Sequence, residues 1–582
     1  GGWKLSRPIQ EADIPTTIQG IITARLDRLD KEAKRILQEA SVIGRAFLYE
    51  ILGKITALKG PIERSLRGLE RHDLIRVRSL QPEMEYIFKH ALTQEVVYNG
   101  LLKKERQNIH QKVGQVMEEL FHDRLPEFYE TLAYHFRQGR SFMKAVKYHM
   151  KAGEKSLSRY ALDEAHQYYK LAFDLLTGKQ DLTKDEQELL IDVLINWSFV
   201  HYYRGDFWGL SDLLEKYRDI AESIQDKVKI AMFSLWLGIS TFHLEMYEDS
   251  YPKLKRSLEI GEELNNQWVI GHAFIWLTFT CAELGLLDDA ALYGKRAIDL
   301  SNSYPSDYIF AWSRAVMAHV NTFKGTGTPN LEMGRTLLDY GMKKSNVRSL
   351  VLGHICMGNG HQVKGDFASA IESYKKAIEI SLDPHLSQWS LIWLGMCYLE
   401  NGQVQDAEET LKRVRSFEEK YGSKQHGTPA RGLLGIILVL KGNLKQGVEE
   451  MEEAKRTGLK NNRKYGCAYA DFILGKVFSQ IAEGRRAVSL SALAKNIGFL
   501  IRHVPFAAKR AEEYFQAAIH QASEIGAKGI LARAFLDLGH LYMKKGRDSD
   551  ARKHITDAIR LFEECEADVF LKQAKESLAL LG

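Results

Sequence analysis

Five cysteines are the first candidates for chemistry, as nucleophiles, metal ligands or disulfide partners: Cys281, Cys356, Cys397, Cys467 and Cys565. They are odd in number and far apart, each falls inside a helical pattern, and no Cys-x-x-Cys pair occurs. That favours reduced thiols packed as small apolar side chains, and with them a reducing, cytoplasmic compartment. Arg64, Arg67 and Arg71 lie at i, i+3 and i+7, on one helix face, as in a groove-reading helix. Glu63, Glu70, Glu83 and Glu85 oppose the phosphate neutralisation such binding needs. A solvated basic face is the preferred reading, and nucleic acid is not the expected partner. Trp236, Trp276, Trp312, Trp389 and Trp393 could form a ligand box. All five fall inside apolar helical stripes, so core or inter-repeat packing is the simpler expectation. The stretch Arg485–Arg510 is basic and amphipathic. Contact with a membrane surface would suit it, but a helix packed over the end of the array suits it better, and no membrane partner is expected. No phosphate loop of the Gly-x-x-x-x-Gly-Lys-Ser/Thr type, no His-Glu-x-x-His and no Gly-x-Ser-x-Gly is present. No catalytic or metal-binding residue is expected, and this chain alone is not read as an enzyme.

The elements that carry these residues repeat. A Leu-Gly pair recurs at Leu237-Gly238, Leu394-Gly395, Leu434-Gly435, Leu474-Gly475 and Leu538-Gly539. Twelve residues after the glycine stands a small residue (Ser250, Ala407, Gly447, Ala551), and four further on a bulky one (Leu254, Leu411, Met451). Gly358, Ala370 and Tyr374 keep the same spacing. Small side chains at fixed intervals mark places where two antiparallel helices cross closely, and the bulky ones fill the gap between them. A chain of 582 residues with only 11 prolines is too long for one core and poor in helix breakers. The unit near 308–345 carries Lys324–Asn330 as a loop in place of a tight turn. The unit starting near Gly475 has about twenty-four extra residues, read as an added helix Arg485–Ile501 closed by Pro505. This pattern resembles the tetratricopeptide repeat over roughly residues 127–582. The resemblance implies an all-α superhelical solenoid, held by neighbour contacts and open along a concave face that takes a protein or peptide.

Residues 1–125 do not share the repeat. They hold 21 Lys+Arg against 17 Asp+Glu, most of the net charge of +5. Helices are expected from Ile14 to Leu29, over Lys31–Ile43, near Phe47–Ile55 and over Pro61–His72. A hairpin (Leu74–Arg78, Tyr86–Lys89) follows, then a long helix Ala91–Leu120. That is the order of a winged-helix-like domain, placed at residues 13–125. Residues 126–582 are then the solenoid with its inserted helix around 485–505, and residues 1–12 the tail of an upstream domain.

The segments Ile14–Leu29, Ala40–Phe47 and Phe88–Tyr98 resemble the winged-helix region that follows the nucleotide-binding core in signal-transduction ATPases with numerous domains. They are similar, more narrowly, to large bacterial regulators in which a class III nucleotide cyclase or a protein kinase precedes an ATPase and a tetratricopeptide tail. Residues 505–582 are similar to that tail. The resemblance implies a regulatory arm whose upstream nucleotide-binding domain holds ADP or ATP, with no cofactor in this chain. It assigns nucleotide sensing to His90, where Lys89, His90 and Ala91 stand at the positions of a Met-His-Asp motif. An imidazole between a strand and a helix N-terminus can reach a phosphate oxygen; an ordinary structural histidine is the alternative. Ala91 lacks the family's aspartate. A free-standing tetratricopeptide scaffold and a DNA-binding transcriptional regulator are the competing readings.

Overall fold

The computed structural model describes residues 16–56, 62–422, 424–483 and 490–581, with side chains from residue 19 in the first stretch and from 496 in the last. The expected upstream tail, the helix start at Ile14-Pro15 and residues 485–489 of the expected insert lie outside them. The chain divides into two compact units, residues 1–186 and 187–582.

In the first unit, α1 (Thr16–Leu26) and α2 (Lys31–Ile43) are followed by β1 (Ala46–Leu48), α3 (Tyr49–Ile55), α4 (Glu63–Arg71), β2 (Ile75–Ser79), β3 (Glu85–Phe88), α5 (Ala91–Asn99) and α6 (Lys103–Leu120). Asp30 caps α2, accepting from the Ala33 amide at 2.8 Å. The strands form one antiparallel sheet in the order β1-β3-β2. Two expectations shift. Phe47, expected in a helix, lies in β1 opposite Tyr86, its ring stacked on Tyr86 at 5.8 Å; the β3 edge and this aromatic contact prevail over local propensity. The expected helix Ala91–Leu120 is broken at Gly100, where Leu101 turns into the core and Leu102 into solvent. Three repeat-like helices follow: α7 (Tyr129–Gln138), α8 (Phe142–Ser158) and α9 (Leu162–Thr177). Ala145, Ala165, Tyr169 and Ala172 are fully buried among them.

In the second unit, α10 (Lys184–Arg204), which starts just before the division, precedes α11 (Phe207–Lys216) and α12 (Arg218–Ser223). Eight antiparallel pairs follow: α13 (Lys227–His243) with α14 (Tyr247–Glu263), α15 (Gln267–Glu283) with α16 (Leu287–Ser303), α17 (Asp307–Lys324) with α18 (Thr328–Lys344), α19 (Val347–Lys364) with α20 (Phe367–Ile380), α21 (Pro384–Glu400) with α22 (Val404–Tyr421), α23 (Lys424–Leu440) with α24 (Leu444–Lys460), α25 (Lys464–Ala482) with α26 (Leu490–Ile525), and α27 (Lys528–Lys544) with α28 (Asp548–Glu564). A last helix, α29 (Asp568–Ala579), closes the described chain.

The glycine spacing has the cause expected of it. A Cβ placed on Gly238, Gly358, Gly395 or Gly539 would lie 2.6–2.7 Å from Leu254, Tyr374, Leu411 or Ile555 respectively, always the residue sixteen positions on. Only a missing side chain admits the partner helix so closely. At Gly475 the filling residue is Phe515, at 2.6 Å, forty positions on, which locates the twenty-four extra residues. They do not form a separate helix closed by Pro505. They lengthen α26, which runs unbroken through Pro505 for 36 residues. Nor is Lys324–Asn330 a loose loop. Gly325 ends α17 in a left-handed conformation (φ 83°) and α18 begins at Thr328. Asn330 occupies the small-residue place, donating to the Ala318 carbonyl at 3.0 Å.

Candidate functional site

Left-handed glycines end α10, α15, α17 and α19: Gly205, Gly285, Gly325 and Gly365 (φ 76–83°), eighty and then forty residues apart. These turns also approach helices far along the chain. A Cβ on Gly205 would strike Phe417, on Gly285 Ile525, on Gly325 the Gly529 amide, and on Gly365 Val569. Accordingly α13 packs on α23, α15 on α25, α17 on α27 and α19 on α29. Each of these four first helices meets the one ten helices, or five pairs, later. The inner face of this unit is therefore covered over this stretch by its own next turn rather than lying open. A period of forty residues specifies the pair and carries no information on the pitch.

Glu245 occupies the glycine place of the α13–α14 turn, with φ 61°, a conformation costing a residue with a Cβ on the order of 1 kcal/mol. Its carboxylate is buried in a joint between turns. Arg463, at the head of α25, donates to Glu245 Oε1 at 3.1 Å and to Glu283 Oε2, at the end of α15, at 2.8 Å. Thr428 and Asn461 donate to Glu245 Oε2 at 2.8 and 3.1 Å. Glu245 and Glu283 are 1% exposed. Burial alone would raise the Glu283 carboxyl, but Arg463 and His319 outweigh it and hold it below the usual range. Burial prevails at Glu245, which is raised although Arg463 pulls the other way. Burial also works against the Arg463 charge, and Glu283, Tyr247 and Glu245 reverse that effect. A carboxylate ending a helix and a guanidinium starting one both run against the helix dipoles. The cluster is therefore placed for the joint and not for either helix.

Beside this joint lies a cavity of about 130 Å³. Aromatic side chains wall it: Phe323 from α17, Trp389 and Trp393 from α21, Tyr465 and Tyr469 from α25. Phe323 and Tyr465 stack across the turns with centroids 3.6 Å apart. Trp389 lies parallel to Trp312 at 6.0 Å. The polar part of the wall includes Glu283, His319, Gln425, His426 and Arg463. His319 is 5% exposed; its Nε2 stands 3.5 Å from Glu283 Oε1, a distance without hydrogen-bond geometry, and neither ring nitrogen has a hydrogen-bond partner. The Trp393 indole N–H likewise lacks one. Burial pushes His426 well below its ordinary value, so that ring is neutral. The tryptophans divide between the two expectations: Trp236, Trp276 and Trp312 are packing residues, all under 5% exposed, while Trp389 and Trp393 face a cavity as well. Sequence reasoning missed Glu245, Glu283, His319 and Arg463. The detectable signal was a glutamate in a series of turn glycines.

The remaining expected residues lie elsewhere. His90 is the N-cap residue of α5, exposed, with no side-chain bond to the helix amides. Arg64, Arg67 and Arg71 are exposed on α4. All five cysteines are free and buried. Among the described residues no group of three or more His, Cys, Asp or Glu is placed to hold a metal ion, and no helix is long and apolar enough to cross a membrane.

Residues 364–427 match the family model for the tetratricopeptide repeat. These residues span the end of α19, α20, α21, α22 and the start of α23, and the other pairs of the second unit repeat the same antiparallel arrangement. A curated relative, an uncharacterized protein of Rhizobium meliloti (strain 1021), is 28% identical over 165 residues, a match covering 28% of this chain and 16% of that protein's length. Three solved structures align with parts of the chain. The APC/C hetero-tetramer Cut9–Hcn1 aligns with TM-score 0.45 and 14% identity, over 84% of this chain and 87% of that one. A Rap protein complexed with Competence and Sporulation Factor gives 0.45 and 14%, over 63% and 99%. A Signal Transduction ATPase with Numerous Domains with a tetratricopeptide repeat sensor, from Pyrococcus horikoshii, gives 0.38 and 14%, over 90% and 68%.

Proposed function

We propose that this chain is the regulatory, sensing arm of a multidomain signalling ATPase: the tetratricopeptide unit takes a ligand in its axial cavity, and a winged-helix domain relays occupancy to an upstream nucleotide-binding domain. The observation that carries the sensing role is the composition of the cavity wall. It draws on α15 and α17 from one turn and on α21, α23 and α25 from the helices leading into the next. A ligand there touches both sides of a joint, so its binding energy acts on the pitch, the one coordinate that neighbour contacts leave weakly determined. A ligand that binds one pitch a few kcal/mol better than another is enough to shift the population decisively.

The order α2-β1-α3-α4-β2-β3 with a β1-β3-β2 sheet supports a winged-helix reading of the first unit. His90, exposed at the head of α5 with no side-chain bond to its amides, is then the residue that meets the nucleotide, assisted by the helix N-terminus. Two experiments test this. Ala470→Phe fills the cavity; hydrogen exchange should change at residues 85–99 as well as around the cavity, and changes confined to residues 279–473 would refute the relay. In the complete polypeptide, His90→Ala should speed ADP release, and unaltered nucleotide retention would leave a free-standing scaffold.

The exposed Arg64, Arg67 and Arg71 on α4 favour DNA as a second reading. A salt-dependent mobility shift decides it, and no shift at low salt excludes it.

A further inference from the structure

We infer that the first half of α26 is a membrane-surface helix, which lies in the interface of a bilayer carrying anionic lipid and holds the second unit against it. This is independent of what the cavity binds.

Charge comes first. From Gly484 to Ala511 the sequence holds Arg485, Arg486, Lys495, Arg502, Lys509 and Arg510 and no Asp or Glu, while the rest of the chain is nearly neutral. A helix face meant only for water ordinarily interleaves the two signs, as α24 does by setting Lys445 against Glu449 and Arg456 against Glu453.

Packing comes next. One face of this stretch covers the array, as the sequence suggests. The Leu444 amide donates to Asn496 Oδ1 at 3.1 Å, Phe499 lies 4.3 Å from His503, and Ala507 and Ala511 are fully buried. The opposite face is left over. Ile497, Ile501 and Val504, at i, i+4 and i+7, form one stripe, and together with Phe506 they are 44–71% exposed. Four large apolar side chains exposed within ten residues exceed the scattered exposure normal at a protein surface. Arg502 and Lys509 share a second stripe with Phe506, again at i, i+4 and i+7, and both are exposed. The carboxylate beside Lys509 is Glu513, 3.8 Å away and one turn further on.

Shape decides the occupant. Gly498, one turn before Ile501 and Arg502, lies between the two stripes, and a Cβ on it would meet nothing within 4 Å. The face is therefore convex and open, without walls to grip a partner. A bilayer interface takes a convex helix with no matching relief: the acyl boundary receives the apolar stripe, and the anionic headgroups receive the cations. A second copy would set like charges against each other. No described helix is long and apolar enough to cross a membrane, so α26 lies on the surface rather than spanning it.

Co-sedimentation of the whole chain with vesicles tests this, comparing phosphatidylcholine alone with a mixture of about two parts phosphatidylcholine to one of phosphatidylserine. The mixed vesicles should bind at least about tenfold more tightly, and high salt should abolish the difference. Arg502→Gln with Lys509→Gln should weaken that binding about thirtyfold, and Ile501→Asn at least about tenfold. All three residues are exposed, so the fold tolerates the changes, and the wild-type comparison needs no variant. The five native thiols are buried, so Ile501→Cys directs a nitrobenzoxadiazole label to the apolar stripe, where its emission should shift to the blue on mixed vesicles. Equal binding to both vesicles, or none at low salt, overturns the inference. A label that does not shift overturns it too, because adsorption is then by charge alone. Binding of an acidic Leu/Glu heptad peptide in place of vesicles overturns it in favour of a protein partner.

Discussion

Replacing Arg463 with methionine removes the guanidinium from the joint and keeps most of the stem. Two carboxylates, each 1% exposed, lose their counter-charge. Breaking a buried pair by deleting one partner costs about 3–5 kcal/mol. Thr428 and Asn461 still donate to Glu245, and His319 stands beside Glu283, so the lower end applies, about 3 kcal/mol. Hydrogen exchange followed by mass spectrometry reads this locally: amides at the head of α25, around residues 464–469, should exchange roughly a hundredfold faster than in the wild type. The effect has a definite sign with pH. Without Arg463 both carboxyls have folded values above their unfolded ones, so the folded state binds more protons between the two. The loss relative to wild type should be largest near pH 8 and shrink as pH falls toward 5. Glu283→Gln added to Arg463→Met should recover part of it. A change below about threefold at pH 8, or a loss that grows on acidification, would refute the reasoning.

Gly447→Ala should destabilise by about 1–3 kcal/mol in urea, since its Cβ would meet the Gly435 carbonyl at 2.6 Å. Gly395→Ala, whose Cβ meets only the Leu411 side chain, at 2.7 Å, should cost less; equal costs would contradict the backbone-to-backbone crossing at Gly447. Acid should weaken the solenoid before its ordinary carboxylates titrate. Burial holds His385 down to about 3 and His272 to about 4, so below about 6.5 the unfolded chain binds more protons and stability falls with pH. Asp383, raised by burial to about 6, works the other way. The thermal midpoint should therefore drop from pH 7 to pH 5, and less steeply in His385→Gln. Burial pushes the Cys281 and Cys356 thiols up to about 12, so iodoacetamide at pH 8 should leave both unmodified until denaturant is added.

Much of the array is legible in sequence because its cause is local. Gly238 and Leu254, or Gly539 and Ile555, stand sixteen residues apart and touch because one short turn brings them together. The segmented α5 and α6 were less legible: only Asn99-Gly100 marks the break, and Leu101 turns inward for tertiary reasons. Pro505 misleads in the opposite direction. Its place in α26 shows neighbouring contacts, among them buried Ala507 and Ala511, outweighing the lost helical bond. The cavity was not legible at all. Glu245 meets Thr428, and Glu283 meets Arg463, across 183 and 180 residues. These contacts depend on a small rotation accumulated over five helix pairs, which no single repeat encodes.

Carbodiimide coupling on the unmodified chain, read by mass spectrometry, tests the closure of successive turns most directly. It joins amines to carboxylates at contact distance. Lys364 Nζ lies 3.7 Å from Glu566 Oε2 and 3.7 Å from Asp568 Oδ2, whereas Lys324–Asp288 joins adjacent pairs and Lys528–Glu564 the two helices of one pair, at 2.8 Å each. Turns stacked on one another predict linked peptides of both kinds, with Lys364 coupled to Glu566 or Asp568. Adjacent-pair links in good yield, with none reaching from Lys364 to residues 566–568, would contradict the account.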